Sequence, residues 1–191
     1  AFTVDEDHRD RKTHLGLPTV PFDRIEETHP PDDFSLFVAM GYTKVNSLRA
    51  NKVAQTRAKG YELASYTSSH AWVWRGYEAQ ANTMVMEHNT IQPYATIGEN
   101  CTLWSGNHVG HHTQVGNNVF IASHAVISGS VIIGNNCFIG VNATLRDNIT
   151  LGANCVVGAG ALLLQDVPQN TVFPGKGTEP SKVPSGRLRS I

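Results

Sequence analysis

The sequence predicts an all-β left-handed parallel β-helix of hexapeptide repeats over residues 71–165, after a small, partly Rossmann-like α/β domain over residues 1–70. Three observations support this fold class. An aliphatic residue stands at every sixth position, Gly and Asn recur at fixed places between those residues, and small side chains fill a further column. Residues 166–191 contain four prolines and are expected to form a C-terminal cap and tail.

The aliphatic repeat is the strongest of these signals. Ile, Leu and Val together fill only about one position in five of the chain, yet they fill every sixth position over thirteen consecutive steps. The thirteen positions are Ile91, Ile97, Leu103, Val109, Val115, Ile121, Ile127, Ile133, Ile139, Leu145, Leu151, Val157 and Leu163. We expect these anchors to point into a common core.

The columns between the anchors predict how the chain turns. Gly stands one residue after the anchor at positions 98, 110, 116, 134, 140, 152 and 158, and Asn stands three residues after it at positions 100, 118, 136, 142, 148 and 154. Both residue types tolerate the left-handed backbone conformation, so both are expected to form corners. Three hexapeptides then close one triangular coil, and equivalent positions of successive coils stack about 4.8 Å apart.

The three cysteines fall in the column of small residues four places after the anchor. Cys155 follows Cys137 by one full coil of three hexapeptides, and Cys101 precedes Cys137 by two coils. A metal or redox column is one interpretation. We favour the other, in which each cysteine is a small buried apolar residue, because that column is otherwise filled by slim side chains such as Val119.

The N-terminal region does not follow the period of six. Residues 36–40 form an apolar run ended by Gly41 and are expected to be a buried strand, and residues 43–60 have the spacing of a helix that stops at Gly60. Residues 61–68 and the segment FTVD near the start are expected to be two further strands. This order predicts a small α/β domain with a parallel sheet.

Composition limits the function classes. Charged residues make up 16% of the chain and the formal net charge is −1, without the basic block that nucleic acid binding requires. No apolar run is long enough to span a membrane, the start of the chain lacks the order of a secretory signal, and the cysteines form no CxxC pair. We therefore expect a soluble cytoplasmic protein without a membrane span, a nucleic acid partner or a zinc framework.

Three sets of segments carry a resemblance to a known family. The repeats, the segment SGNHVGHHTQVGNNVFIASHAVISG and the ending VVGAGALLLQDVPQNTVFPG are similar to the sialic-acid O-acetyltransferase family of sugar acyltransferases. Close relatives of that family are bacterial N-acetyltransferases acting on nucleotide-linked 4-amino sugars. FTVDED, GLPTVPFDRIEE and LFVAMGYTKVNSLR resemble the family's nucleotide-sugar-binding domain, starting at its second strand.

The resemblance implies an acetyl-CoA-dependent acetyltransferase that modifies an amino or hydroxyl group of a nucleotide-linked sugar for surface glycan biosynthesis. It implies no metal, and it implies a homotrimer with three sites between subunits. The residues leave open N- or O-acetylation, the sugar, the nucleotide and the acyl group.

The family's pattern places the general base at His111. Gly129 follows it by three hexapeptides, hence in the next coil, and the pattern uses its amide to stabilise the oxyanion. His112 stands where relatives often have an acidic residue that orients the base. It could orient the base or contact the acceptor, and so could His108. A backbone carbonyl or an unidentified carboxylate could orient the base instead.

The resemblance also implies the substrate contacts. Phe120, Val141 and Ala159 match the family's CoA-binding positions. Three further residues match the ligand-facing strand ends of the small domain, namely Asp5, Gly41 and Tyr42.

Two other functions compete with acetyl transfer on this scaffold. One is a non-catalytic solenoid that binds nucleotide sugars. The other is a γ-type carbonic anhydrase, which holds zinc with three histidines, two of them five residues apart. No two of the nine histidines here are five residues apart, which disfavours the second alternative.

Overall fold

A computed structural model describes residues 1–187, and in it the chain winds into a left-handed parallel β-helix with three sheets. Sheet 1 contains Tyr66–Thr67, Met84–Val85, Thr102–Leu103, Phe120–Ile121, Phe138–Ile139, Val156–Val157 and Val172–Phe173. Sheet 2 contains Trp72–Val73, Thr90–Ile91, His108–Val109, Val126–Ile127, Thr144–Leu145 and Leu162–Leu163. Sheet 3 contains Thr96–Ile97, Gln114–Val115, Ile132–Ile133 and Thr150–Leu151.

The strand register confirms the predicted coil of three hexapeptides. His108 pairs with Val126 in sheet 2, and Phe120 pairs with Phe138 in sheet 1, all in parallel. The last coil is shorter by two positions, because Val156 pairs with Val172. This final strand and a short 3-10 helix at Ser185–Arg187 lie within the range 166–191, for which a cap and tail were predicted. The end of the predicted range 166–191, from position 188 onwards, lies outside the described residues.

The core consists of the predicted anchors. All thirteen are buried, and Val85 extends the same column towards the N-terminus. Burial of each such side chain contributes about 1.5–3 kcal/mol. The three cysteines are free and fully buried in the same core. Burial raises the pKa of the Cys101 thiol to about 12 and that of Cys137 to about 11, so these thiols stay protonated near neutral pH.

Asn forms most of the left-handed corners, and the recurring Gly residues form none of them. The predicted Asn residues all have left-handed φ values, and four of them form a ladder in which each side-chain amide donates to the next, from Asn100 through Asn118 and Asn136 to Asn154. The predicted Gly corners are wrong, because none of those glycines has a positive φ. They allow coils to approach instead: a Cβ on Gly134 would lie 2.5 Å from the backbone N of Ala153.

The N-terminal sheet is mixed, and the predicted parallel sheet is wrong. Phe2–Val4 pairs in parallel with Leu17–Pro21, which pairs in antiparallel with Thr13–His14. Two 3-10 helices, Glu6–His8 and Phe22–Glu27, flank these strands. The predicted helix is present and spans Ser47–Ala58. No helix within residues 1–187 is long and apolar enough to cross a bilayer.

The two other predicted N-terminal strands take different roles. Residues 36–40 form only one isolated parallel bridge, between Leu36 and Leu63, because the side chain of Asn82 bonds both the N–H and the C=O of Val38. Within the predicted strand 61–68, Tyr66–Thr67 pairs with the β-helix and forms the first strand of sheet 1. The segment 36–42 is thus held against the β-helix by side chains.

Candidate functional site

His111 lies directly above Gly129 at the edge between sheets 2 and 3. The backbone N–H of Ser130 donates to the C=O of His111 over 2.8 Å, which joins the two coils at this point. A Cβ on Gly129 would lie 2.6 Å from Cε1 of His111 and 2.7 Å from its Nε2. Only glycine therefore leaves room for the imidazole in this position.

The backbone N–H of Gly129 is available to a ligand. Among residues 1–187, it donates no hydrogen bond. The equivalent N–H of His111, one coil earlier, donates to Oε1 of Gln92 over 3.0 Å. An unused donor therefore lies beside an imidazole, which is the combination that a base and an oxyanion site require.

His112 is the partner of the His111 ring. Its backbone is left-handed, with a φ of 59°, and its Nδ1 lies 3.1 Å from Nδ1 of His111. The other side of His112 packs on Tyr94, whose ring centroid is 4.9 Å away, and Tyr94 in turn packs on Trp74. In the described chain, no carboxylate lies within ion-pair distance of either histidine.

A groove of about 660 Å³ runs between residues 37–42 and sheet 1. Gly41 and Tyr42 form one wall, and Tyr42 lies over Phe120 and Phe138, with ring centroids 5.0 and 4.6 Å apart. Met, aromatic and small apolar residues make up most of the lining. Such a surface suits a flat or partly apolar ligand better than a highly charged one.

The predicted substrate residues fall into different places. Gly41, Tyr42, Phe120 and Val141 line the groove together. Phe120 is only 7% exposed, because Tyr42 covers it. Ala159 is exposed one coil beyond Val141 and outside the groove lining.

Asp5 and His108 lie apart from the groove. Asp5 forms an ion pair with Lys52 over 2.6 Å. His108 lies on sheet 2, between Thr90 and Val126.

The predicted base and the groove are on different sides of one chain. His111 and Gly129 lie at the edge opposite sheet 1, and neither lines the groove. Sequence reasoning missed Met84, Trp104 and Phe138 in the groove. A signal was present for two of them, because Met84 and Phe138 directly precede an anchor and lie two coils before and one coil after Phe120, which puts their side chains on the same outer face.

A buried arginine holds the groove wall in place. Arg49 is 1% exposed and donates to the backbone oxygens of Gly41 and Asn100 and to Oδ1 of Asn100. No carboxylate within residues 1–187 forms an ion pair with it, and burial lowers the pKa of its guanidinium to about 10. It stays charged near neutral pH and links residues 40–46 to the β-helix. Among residues 1–187, no group of three or more His, Cys, Asp or Glu side chains is arranged to hold a metal ion.

The hexapeptide repeats match a known family model. Residues 94–129 and 130–165 match the family model described as bacterial transferase hexapeptide (six repeats). The chain is a left-handed β-helix, and its repeats match this family model over these residues. No curated protein sequence matches it significantly.

The solved structures that are similar to this chain include an enzyme named for an amino sugar. A variant of perosamine N-acetyltransferase from Caulobacter crescentus, bound to CoA and GDP-perosamine, matches with a TM-score of 0.80 at 27% identity over 92% of this chain and 84% of that chain. PerB from the same organism, with the same two ligands, matches with a TM-score of 0.80 at 28% identity, over 90% of this chain and 80% of that chain. The acetyltransferase domain of PglB from Neisseria gonorrhoeae has the same fold, with a TM-score of 0.80 at 24% identity over 92% of this chain and 84% of that chain. The predicted resemblance is confirmed.

Proposed function

We propose that this protein transfers the acetyl group of acetyl-CoA to an amino group of a nucleotide-linked sugar, with His111 as the general base. The observation on which this rests is the imidazole of His111 above Gly129, whose N–H is free to bind a ligand. The likeness to enzymes bound to CoA and GDP-perosamine supports both substrates and favours an amine over a hydroxyl acceptor. The proposed role is in surface glycan biosynthesis, in the cytoplasm.

The proposed reaction uses both groups. Nε2 of His111 removes a proton from the acceptor amine while the amine nitrogen attacks the thioester carbonyl carbon. The carbonyl oxygen becomes negatively charged, and the N–H of Gly129 stabilises it. The C–S bond then breaks, and the sulfur of CoA takes the proton from the His111 imidazolium and leaves as the free thiol.

The proposed acceptor site is the groove beside sheet 1. Gly41 and Tyr42 would contact the nucleotide sugar. Phe120, which the resemblance implied as a CoA contact, lies under Tyr42 and is proposed to form the floor of this acceptor site instead. Asp5 is proposed to contact the same ligand from a strand end of the small domain. Val141 and Ala159, one above the other on the same edge, are proposed to follow the pantetheine arm of CoA, as the hydrogen bond from Gly160 N–H to the C=O of Val141 joins these two coils.

The separation of base and groove favours a homotrimer. Because one chain holds them on different sides, a complete site needs His111 from one subunit and the groove from the next. Apolar side chains are exposed on the outer surfaces of sheets 2 and 3, where subunits would pack: Val126 is 41% exposed, Ile132 is 45% and Leu162 is 61%.

A screen of nucleotide-linked amino sugars with acetyl-CoA tests the function. We expect one or a few 4-amino sugars to release free thiol in proportion to acetylated product, and the matching hydroxy sugars to release little. Acetyl-CoA without acceptor is the control for hydrolysis. If no acceptor is turned over and calorimetry detects nucleotide sugar but no CoA, the protein is a binding solenoid and the proposal is wrong.

A further inference from the structure

His111 and His112 form a pair whose geometry fixes how many protons it can hold. Their Nδ1 atoms are 3.1 Å apart, which is hydrogen-bond distance for two nitrogens. Two bare nitrogens at this distance would repel each other through their lone pairs, and two N–H groups would bring their hydrogens into contact. One proton therefore lies between the two rings.

We propose that His112 is the positioning residue of the base: its bare Nδ1 accepts a hydrogen bond from Nδ1–H of His111 and so leaves Nε2 of His111 unprotonated above Gly129. This inference rests on the proposed function for its catalytic consequence. The reverse arrangement would put the proton of His111 on Nε2, where it could no longer accept a proton from the amine.

The surroundings of His112 hold its ring for this task. Tyr94 lies one coil before it and covers one face of its ring, and Trp74 supports Tyr94 from below. The Nε1–H of Trp74 donates to the C=O of Ala95 over 3.3 Å, which anchors the stack to the coil. The backbone of His112 is left-handed, and its ring lies within hydrogen-bond distance of that of His111. A His112 ring free to rotate would not keep its Nδ1 within hydrogen-bond distance of His111.

The pair also favours the proton transfer itself. When His111 takes a proton on Nε2, its ring becomes positive and its Nδ1–H bond to His112 becomes charge-assisted, which strengthens it. The neutral imidazole of His112 can accept this hydrogen bond in place of a carboxylate, but only while its own Nδ1 carries no proton.

Replacements of His112 separate an acceptor role from a packing role. In His112→Asn, Oδ1 is as many bonds from the backbone as Nδ1 of histidine, and Asn forms most of the other left-handed corners. His112→Phe keeps a ring on Tyr94 but has no acceptor. We expect kcat to fall about 100-fold in His112→Phe and to stay within about threefold of the original in His112→Asn, with little change in KM.

The controls use a matched corner. His88 also has a φ of 59° and is exposed, so His88→Phe reports the effect of Phe at a left-handed corner. If His112→Phe keeps full activity, or His112→Asn is as poor as His112→Phe, the positioning role is wrong.

A spectroscopic measurement tests the pair without turnover. With ¹⁵N-labelled histidine, a protonated and a bare ring nitrogen give well-separated shifts, and the His111 signals are assigned by their loss in His111→Ala. We expect His111 to carry its proton on Nδ1 at neutral pH and to lose this preference in His112→Phe. A proton on Nε2 would overturn the inference even in an active enzyme, whereas the expected tautomer in a protein without turnover would contradict only the proposed function.

Discussion

Replacement of His111 by Ala is expected to lower kcat for acetyl transfer about 10³-fold, because general base catalysis contributes on the order of 10²–10⁴ in rate. The side chain is exposed and at a corner, so its loss removes no core contact and the protein should unfold at nearly the same temperature. KM for acetyl-CoA should change little, because the imidazole contacts the reacting atoms and not the body of CoA. Steady-state kinetics on the identified acceptor measure both constants.

His88→Ala is the matched control for this variant. His88 is an exposed histidine at a left-handed corner, as His112 is, but it lies on the edge between sheets 1 and 2. We expect it to keep full activity. A His111→Ala protein with most of the original kcat would exclude His111 as the base.

Two glycine-to-alanine replacements are expected to affect different properties, one the activity and the other the stability of the fold. In Gly129→Ala, the three atoms nearest the new Cβ belong to the imidazole of His111, so the ring has to move while the coils stay in place. In Gly134→Ala, the new Cβ meets the backbone of Ala153 at 2.5 Å, so the coils themselves have to separate. Neither glycine has a positive φ, so backbone strain does not confuse the comparison.

We expect Gly129→Ala to lower kcat about 100-fold with a small change in stability, because a displacement of about 1 Å at a reacting group costs about that factor. Gly134→Ala should lower the free energy of unfolding by about 1–3 kcal/mol, as overpacking does, and leave kcat of the folded protein unchanged. Urea unfolding and initial rates measure the two effects. Equal losses of stability in both variants would contradict the placement of His111 above Gly129.

The period of six predicted nearly all of the β-helix, because each anchor has the same environment in every coil. Ile121 and Leu145, for example, are both fully buried, as the repeat requires. The role of the recurring glycines was misjudged, because sequence shows that a Cβ is absent but not whether φ or a neighbouring backbone requires its absence. At Gly134, a Cβ would meet the backbone of the next coil, whereas the φ value is one that any residue can adopt.

The stacking of His111 on Gly129 follows from the same period, and so does that of Tyr94 beneath His112. The groove did not follow from the sequence. Its wall is fixed by Asn82 on Val38 and by Arg49 on Gly41, which are polar contacts between distant segments that leave no periodic pattern. The hydrogen bond between His111 and His112 also depends on ring orientation, which the order of residues does not reveal.

Mixed trimers test most directly whether His111 of one subunit acts on a ligand in the groove of the next. Gly41→Trp should fill the groove without disturbing the fold, since no atom lies within 4 Å of an added Cβ there. His111→Ala and Gly41→Trp subunits, each inactive alone, are unfolded, mixed in equal amounts and refolded. Half of the subunits then supply an intact base and half an intact groove, so we predict recovery of about a quarter of the original activity. No recovery in mixed trimers would show that base and groove act within one chain, or not together, and would contradict the shared site.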